Sequence, residues 1–555
     1  MSDTYMYDRT LDSSQPVNVA ENKQVLLSQD STSSYLNQIV FDSSSLSNSG
    51  RWINWSEGYI QIPFAVSLQS SVDITAATIV NQFQFGLKSG FWNLIDSIQV
   101  DFNNSNVVSL QPLSNMHAHF KALTSWSLND VAKYGQGLGF AKDSAGSYAF
   151  SGAADFGGIG FQNNIVYPRL LAPVWQGTTD TFTLDQNNQG LYDRLKHCTD
   201  VTTNNAGANS GGLAMQSAAQ ALALAKGCIL SDNAGVAAAR VWQKTYIATI
   251  RLKDLTDYFD KIPMVRGSFY RVTLNFNSAN FTVTNVLDTS MTLTTYTQTA
   301  GRTNPVILTT NAANNPGVGL LGGVLTVKSG IAAGGGSVFT PGAITACQMY
   351  VPSYQLDPVF EQELLKMVPT KTIKYNDLYM YQQLAIASGG SSIFQVTSGL
   401  ANMKYIVIVP TISTAALALP VAGLAQYQSP FDSCPGTTAP LAALTNIQIQ
   451  VSGSNLWNQL IRYDFQAFND ELAQINAVNG GQSTGLTSGL LDAYDFDKAY
   501  RYIVGDLSRH IKSEENVPKS ISINCTNSTQ SSLDLTVFVV YGRSIGVNMI
   551  NGESI

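Results

Sequence analysis

The chain has 555 residues, of which 12% are charged, and a formal net charge of −7 at neutral pH. That is about half the usual share of charge, and it excludes a protein that coats nucleic acid, because neutralising phosphates needs clustered Lys and Arg. The length is too great for one ordinary domain and suits two large ones or three to four small ones.

In chain order, residues 1–34 are polar, rich in Ser, Asp and Asn, and without hydrophobic periodicity, so they are expected to form an extended or mobile arm that orders only in an assembly. The opening MSDTYMYDRTLDSSQPVN has neither a basic nor an apolar region of the kind a secretory signal carries. From Trp52 the pattern alternates: Tyr59 to Val66, Gln82 to Phe85 and Ile95 to Phe102 read as strands. Ser114 to Ser125 and Leu128 to Tyr134 read as short helices, the second begun by Ser127 with Asp130 at capping-box spacing. Residues 141–240 loosen into a Gly-, Asn- and Ala-rich insertion with strands at Asn164 to Trp175 and Asp180 to Leu184 and an Ala-rich helix at Leu213 to Lys226. Strands return at Val241 to Leu252 and Ser268 to Phe276, around a short helix at Leu255 to Lys261. Residues 280–345 form a second, Thr- and Gly-rich insertion with only Asp288, Arg302 and Lys328 charged, expected to project or to pack on a neighbour. A strand at Cys347 to Tyr354 leads to the second half. There Asp464 to Ala477 and Leu490 to His510 read as helices, and Ser520 to Cys525 with Leu533 to Tyr541 as a closing hairpin. The uncharged run Tyr405 to Pro430 is interrupted by Pro410 and Pro420 and reads as a strand ending in a loop, not as a membrane span.

Two internal echoes suggest that the chain is doubled. Phe85 to Val100 (FGLKSGFWNLIDSIQV) returns weakly as Phe394 to Val409 (FQVTSGLANMKYIVIV), an offset of 309. Ile98-Gln99-Val100 returns as Ile449-Gln450-Val451, an offset of 351, each ending an apolar strand and leading through a polar Asn/Ser turn to an aromatic-rich helical stretch. A Pro-, Ala- and Gly-rich insertion between Pro410 and Ala443 would absorb the difference.

Longer blocks carry a family resemblance. Leu252 to Asn277 (LKDLTDYFDKIPMVRGSFYRVTLNFN) resembles a signature near the end of the first sandwich in double jelly-roll major capsid proteins of the polinton-like virus and virophage lineage. GFWNLIDSIQVDFNNSNV with NMHAHFKALTSWS, then QMYVPSYQLDP (Gln348 to Pro358), KYIVIVP, SPFDSCPG (Ser429 to Gly436), DKAYRYIVGDLSR (Asp497 to Arg509) and LDLTVFVVYG (Leu533 to Gly542) follow in the same order. The resemblance implies an all-β fold of two tandem eight-stranded jelly rolls with short helices and long loop insertions. It divides the chain into an arm at 1–34, a first roll at 35–355 and a second at 356–555. It further implies a structural protein that tiles an icosahedral shell as a pseudo-hexameric homotrimer. Its partners would be itself, neighbouring capsomers, a separate penton protein and minor capsid proteins, inside a host cell and then in the virion. The alternatives outside this resemblance are a carbohydrate-binding or carbohydrate-active sandwich, with Trp52, Trp55, Trp92 and Trp126 as stacking platforms, and a fibre or adhesin.

No catalytic, cofactor or metal residue is expected. Gly481-Gln482-Ser483-Thr484-Gly485 fits GxSxG but follows a predicted helix instead of a strand, so it lacks the context of a hydrolase elbow. His117 and His119 would share a face only on a strand, and the sequence around them predicts a helix. Asp254, Asp257 and Asp260 lie at the spacing of a solvated, salt-bridged helix face. Gly334 to Gly336 lacks the Lys-Ser/Thr of a phosphate loop. Cys198, Cys228, Cys347, Cys434 and Cys525 are odd in number and have no CxxC spacing, so free thiols are expected. The five Asn-X-Ser/Thr sequons, at Asn54, Asn103, Asn280, Asn524 and Asn527, are what an Asn/Ser/Thr-rich chain produces by chance. The first fifty residues offer only Arg9 and Lys23 as cations, so tight direct binding of a genome is not expected.

Overall fold

The computed structural model of the chain describes residues 19–28, 37–44, 50–73, 83–142, 228–232, 239–286, 290–310, 320–327, 347–413, 424–430, 444–478, 489–498, 500–508, 516–529, 532–550 and 552–554. Sixteen of its strands build two rolls of eight with one strand order. The first roll comprises β1 (Val19–Ser28), β2 (Gln38–Asp42), β3 (Tyr59–Asp73), β4 (Ile95–Phe102), β5 (Ser105–Val108), β6 (Ala239–Arg251), β7 (Tyr270–Phe276) and β8 (Gln348–Leu356). The second comprises β9 (Thr370–Ile386), β10 (Ser391–Leu400), β11 (Met403–Ile412), β12 (Leu444–Val451), β13 (Ser454–Asn455), β14 (Ile503–Asp506), β15 (Lys519–Asn527) and β16 (Leu533–Asn548). In the first roll β1-β8-β3-β6 faces β2-β7-β4-β5, and in the second β9-β16-β11-β14 faces β10-β15-β12-β13, every pair antiparallel. This is the jelly-roll topology.

The echo at offset 351 marks equivalent strands. β4 and β12 hold the same place in their sheets, and each turns into its short partner through two residues of positive φ, Asn103 and Asn104 in one roll and Ser452 and Gly453 in the other. Such turns match the twist of the strands they join. The echo at offset 309 does not, because it lays β4 on β11, which belongs to the other sheet.

Val19–Ser28, placed by its polarity in the arm, is the outer strand of the first roll, antiparallel to β8 from Val19 opposite Leu356 to Ser28 opposite Gln348. Polarity misleads here because an outer strand has one free edge and needs few apolar residues, and the short run Val25-Leu26-Leu27 was its signal. Residues 1–18 lie outside the described set, as do the strands and helix expected between 164 and 226, the GxSxG segment and the triple glycine. The second insertion adds strands to the first roll: Leu320–Val327 pairs with Phe64 to Ser70 of β3 and with Ser278–Val286, which pairs in turn with Ser290–Ala300.

Three further expectations change. The closing hairpin is not one: β15 pairs with β10 and β12, and β16 with β9 and β11, so the chain crosses between sheets. Asn527 fixes the crossing, its amide donating to the Ile386 and Ala387 carbonyls (2.9 and 3.2 Å) and its oxygen accepting from Thr529 N at 2.8 Å. The helix expected from Leu490 to His510 is only Ala493–Lys498, because the β-branched pair Ile503-Val504 is taken into β14. The helix expected at Leu255 to Lys261 is two turns, Leu252–Leu255 and Asp257–Lys261, broken at Thr256, whose φ of −150° is extended and whose hydroxyl accepts from Tyr258 N. Asp464 to Ala477 forms one residue along, at Phe465–Val478, and the capping box at Ser127 and Asp130 is made. The run from Tyr405 is strand β11, and among the described residues no helix is long and apolar enough to cross a membrane.

Candidate functional site: the junction between the two rolls

Strand β16 locates the site. Sheets with one wet face alternate in burial, and β15 does so, but every residue from Leu533 to Val540 of β16 is buried. One face of the second roll's sheet fills its own core and the other is covered by the first roll. The cover is helix α1 (Ser114–Ser125): His117 packs on Tyr405 and Phe538 with ring centroids 6.4 and 5.8 Å apart, and Phe120 on Tyr502 at 5.2 Å. Burying one such aromatic or aliphatic side chain contributes about 1.5–3 kcal/mol.

Beside this apolar contact lies a polar lock. The Asp377 carboxylate, its side chain 2% exposed, accepts from Arg543 Nη1 at 2.8 Å, Ser109 Oγ at 2.8 Å and Tyr541 Oη at 3.1 Å. Arg543 continues across the junction to the Val107 and Asn106 carbonyls at 3.0 and 2.8 Å. Tyr375 donates to the Val107 carbonyl at 2.6 Å, and its ring meets Tyr258 edge-on at 4.9 Å. Burial is the largest single influence on Arg543 and opposes its charge, but the bond to Asp377 and the attraction of Asp377, Tyr375 and Tyr541 together outweigh it and hold the guanidinium pKa above its ordinary value. Burial, helped by the neighbouring Tyr375, raises the Tyr258 and Tyr270 hydroxyls, which bond each other at 3.0 Å. Farther along, Gly489, at φ +68°, lays its backbone on the end of α1, where an added Cβ would stand 2.4 Å from the Thr124 carbonyl oxygen, and Leu490 N donates to the Leu123 carbonyl at 2.8 Å. The second roll thus caps a helix of the first.

The sequence candidates are dispersed over this frame. His117 and His119 point apart: the first lines a cavity of about 80 Å³ at the junction, and the second packs on Trp92 and Phe140. Burial, helped by the nearby Lys121 charge, lowers the His117 pKa to about 3. The three aspartates have separate tasks instead of one solvated face: Asp254 holds Arg251 by two bonds of 2.7 and 2.9 Å, Asp260 pairs with Lys261 at 2.9 Å, and Asp257 accepts from Asn376 N across the junction at 3.0 Å. Trp52, Trp55 and Trp92 are at most 2% exposed, and the Arg251 guanidinium lies 5.5 Å from the Trp126 ring centre, so none of the four is a free stacking platform. Cys347 and Cys525 are buried free thiols, the latter raised by burial to about 11. Asn527 is fully buried, which closes that sequon to a glycan. No cluster of three metal-ligating side chains occurs among the described residues.

Sequence reasoning missed Asp377 and Arg543, which stand 166 residues apart and signal each other only once β9 and β16 pair. It also missed helix α2 (Pro358–Met367), whose signal was present: Asp357 caps it by accepting from Val359 N and Phe360 N, and Pro358 occupies its first turn.

No protein-family model and no curated protein sequence matches the chain. Among solved structures it is similar to a chain of the Sputnik virophage determined by cryo-EM, at 10% identity and a TM-score of 0.49, over 98% of this chain and 89% of that one. It is similar to the mavirus major capsid protein at 11% identity and 0.44, over 100% and 94%, and to the Faustovirus major capsid protein at 8% and 0.42, over 96% and 91%.

Proposed function

We propose that the protein is the major capsid protein of a virus of the virophage and polinton-like kind, assembling as a homotrimer that tiles an icosahedral shell. The observation that carries this reading is the locked pair of rolls. Two sandwiches of one strand order, fastened by a buried sheet face and by the Asp377–Arg543 lock, behave as one rigid unit, and three such units present six similar sandwiches. A trimer of this kind is a pseudo-hexagonal tile. The residue blocks that resemble this family, from Leu252 to Asn277 and from Leu533 to Gly542, support the same reading.

The role asks for shape and no reaction, in keeping with acids committed to structural bonds and tryptophans that are buried or covered. Curved vertices call for a separate penton protein, and minor proteins would join the tiles as the shell forms inside the host cell. The division into an arm, a first roll and a second roll belongs to this reading, with the first roll beginning at β1. Light scattering on the purified chain tests the assembly: a particle of three times 59.8 kDa is expected, and a monodisperse monomer at micromolar concentration would overturn the trimer. Obligate interfaces of large area are what a trimer of this size requires.

A further inference from the structure

Lys366, Lys371 and Lys374 are the nearest approach to a basic cluster in the sequence, and the structure exposes all three where α2 ends and β9 begins. Among the described residues strand β9 is the outermost of its sheet, and the bonds its other edge makes to the first roll, from Asn376 N and Met380 N, come after Lys374. None of the three lysines is in an ion pair among the described residues. Between them stand Met367, 75% exposed, and Val368, 40% exposed. Of the acids on α2, Glu361 is committed to Arg266 and to Trp52 Nε1, which leaves Glu363. Exposed cations flanking exposed apolar side chains form a surface suited to an acidic segment that also carries apolar groups.

The chain supplies one, and the register of β1 places its exit beside α2. Val19 stands opposite Leu356, next to the Asp357 cap of the helix. Residues 1–18 contain Asp3, Asp8 and Asp12 against the single cation Arg9, with Tyr5, Met6, Tyr7 and Leu11 between them. Ten helical residues span about 15 Å, a distance that about five extended residues cover. Counting back six from Asn18 reaches Asp12, so the segment is long enough to reach the end of α2, and the eleven residues before Asp12 are enough to reach Lys371 and Lys374.

We propose that residues 1–18 dock in cis on the patch of Lys366, Met367, Val368, Lys371 and Lys374, with the aspartates meeting the lysines and Tyr5-Met6-Tyr7 covering the two apolar side chains. The inference rests on the register of β1 and the exposure of the patch, and it is independent of the capsid reading. In the full-length protein a carbodiimide, which joins carboxylates to amines only in contact, should link Asp8 or Asp12 to Lys366, Lys371 or Lys374. An equal mixture of light and heavy isotope-labelled protein should give these links without mixed-mass products. Acetylation of the three lysines by a soluble ester, read by mass spectrometry, should be about threefold faster in the D3N/D8N/D12N variant, the size of one or two exposed ion pairs. The rate at the distant Lys404 serves as reference. Absence of the links together with unchanged acetylation would overturn the proposal. Mixed-mass links would overturn the intramolecular assignment by giving the patch to a second copy.

Discussion

Replacing Arg543 by Met keeps most of the side-chain stem and removes the charge that faces Asp377. The loss is an ion pair of 2.8 Å with a carboxylate whose side chain is 2% exposed, and two bonds to the Val107 and Asn106 carbonyls. Breaking a fully buried pair costs about 3–5 kcal/mol, because an uncompensated charge stays behind. Here the guanidinium side is 30% exposed, and Ser109 and Tyr541 still donate to the carboxylate, so about 2–3 kcal/mol is expected. If the junction opens as a unit, that change multiplies the open population roughly 30-fold or more. Native-state proteolysis reads this population when opening and closing are fast relative to cleavage, and the segment joining the rolls, residues 357–369, is the place to look. Adding Asp377→Asn to Arg543→Met should recover about 1 kcal/mol or more by removing the stranded charge. Cleavage of Arg543→Met within twofold of the parent, or no recovery in the double variant, would refute the view that this pair locks the rolls.

The His117 imidazole has a folded pKa of about 3 against an ordinary 6.5, so the unfolded chain takes a proton that the folded one refuses as pH falls. Stability should therefore drop from about pH 6.5 downward, by up to about 3 kcal/mol at pH 4.5, and His117→Gln should flatten that slope in urea titrations. Gly489→Ala should loosen the cap on α1 and cost about 2 kcal/mol or more, since both the positive φ and the Thr124 carbonyl oppose a Cβ; hydrogen exchange at Leu490 N would show it. Titrated with duplex DNA at about 150 mM salt, the protein should bind no more tightly than about 10⁻⁶ M, and submicromolar affinity would reveal a basic face assembled by folding.

What was legible in the sequence was local. Strand β4 announced itself by its alternation, and its partner β12 by a shared tripeptide and turn, because a turn with positive φ narrows the residues that fit. The longer echo at 309 misled: strands facing the same kind of core use the same few apolar residues, so β4 resembles β11 without being its equivalent. The pairing of β15 and β16 with different sheets was invisible for a related reason. Two strands joined by a short polar turn satisfy the hairpin pattern whether or not they bond each other, and only Asn527, holding carbonyls 140 and 141 residues away, decides it. The lock itself could not be read, since Asp377 and Arg543 look like ordinary surface charges until two distant strands meet.

In both rolls the first strand waits for the last. β1 has no partner until β8 has been made, more than 300 residues later, and β9 has none until β16, more than 140 residues on. At roughly 5–20 residues per second of synthesis, the opening strand of the first roll spends about 15–65 seconds without its neighbour, and the second roll cannot close before β16 has left the ribosome. Because β16 also supplies part of the face on which the first roll rests, a chain interrupted before Leu533 lacks the strand that completes both the second core and the junction. Synthesis through β16 is thereby built into the shape of the product: only a chain carrying that strand presents the surfaces of the paired rolls, and a shorter one leaves sheet edges open.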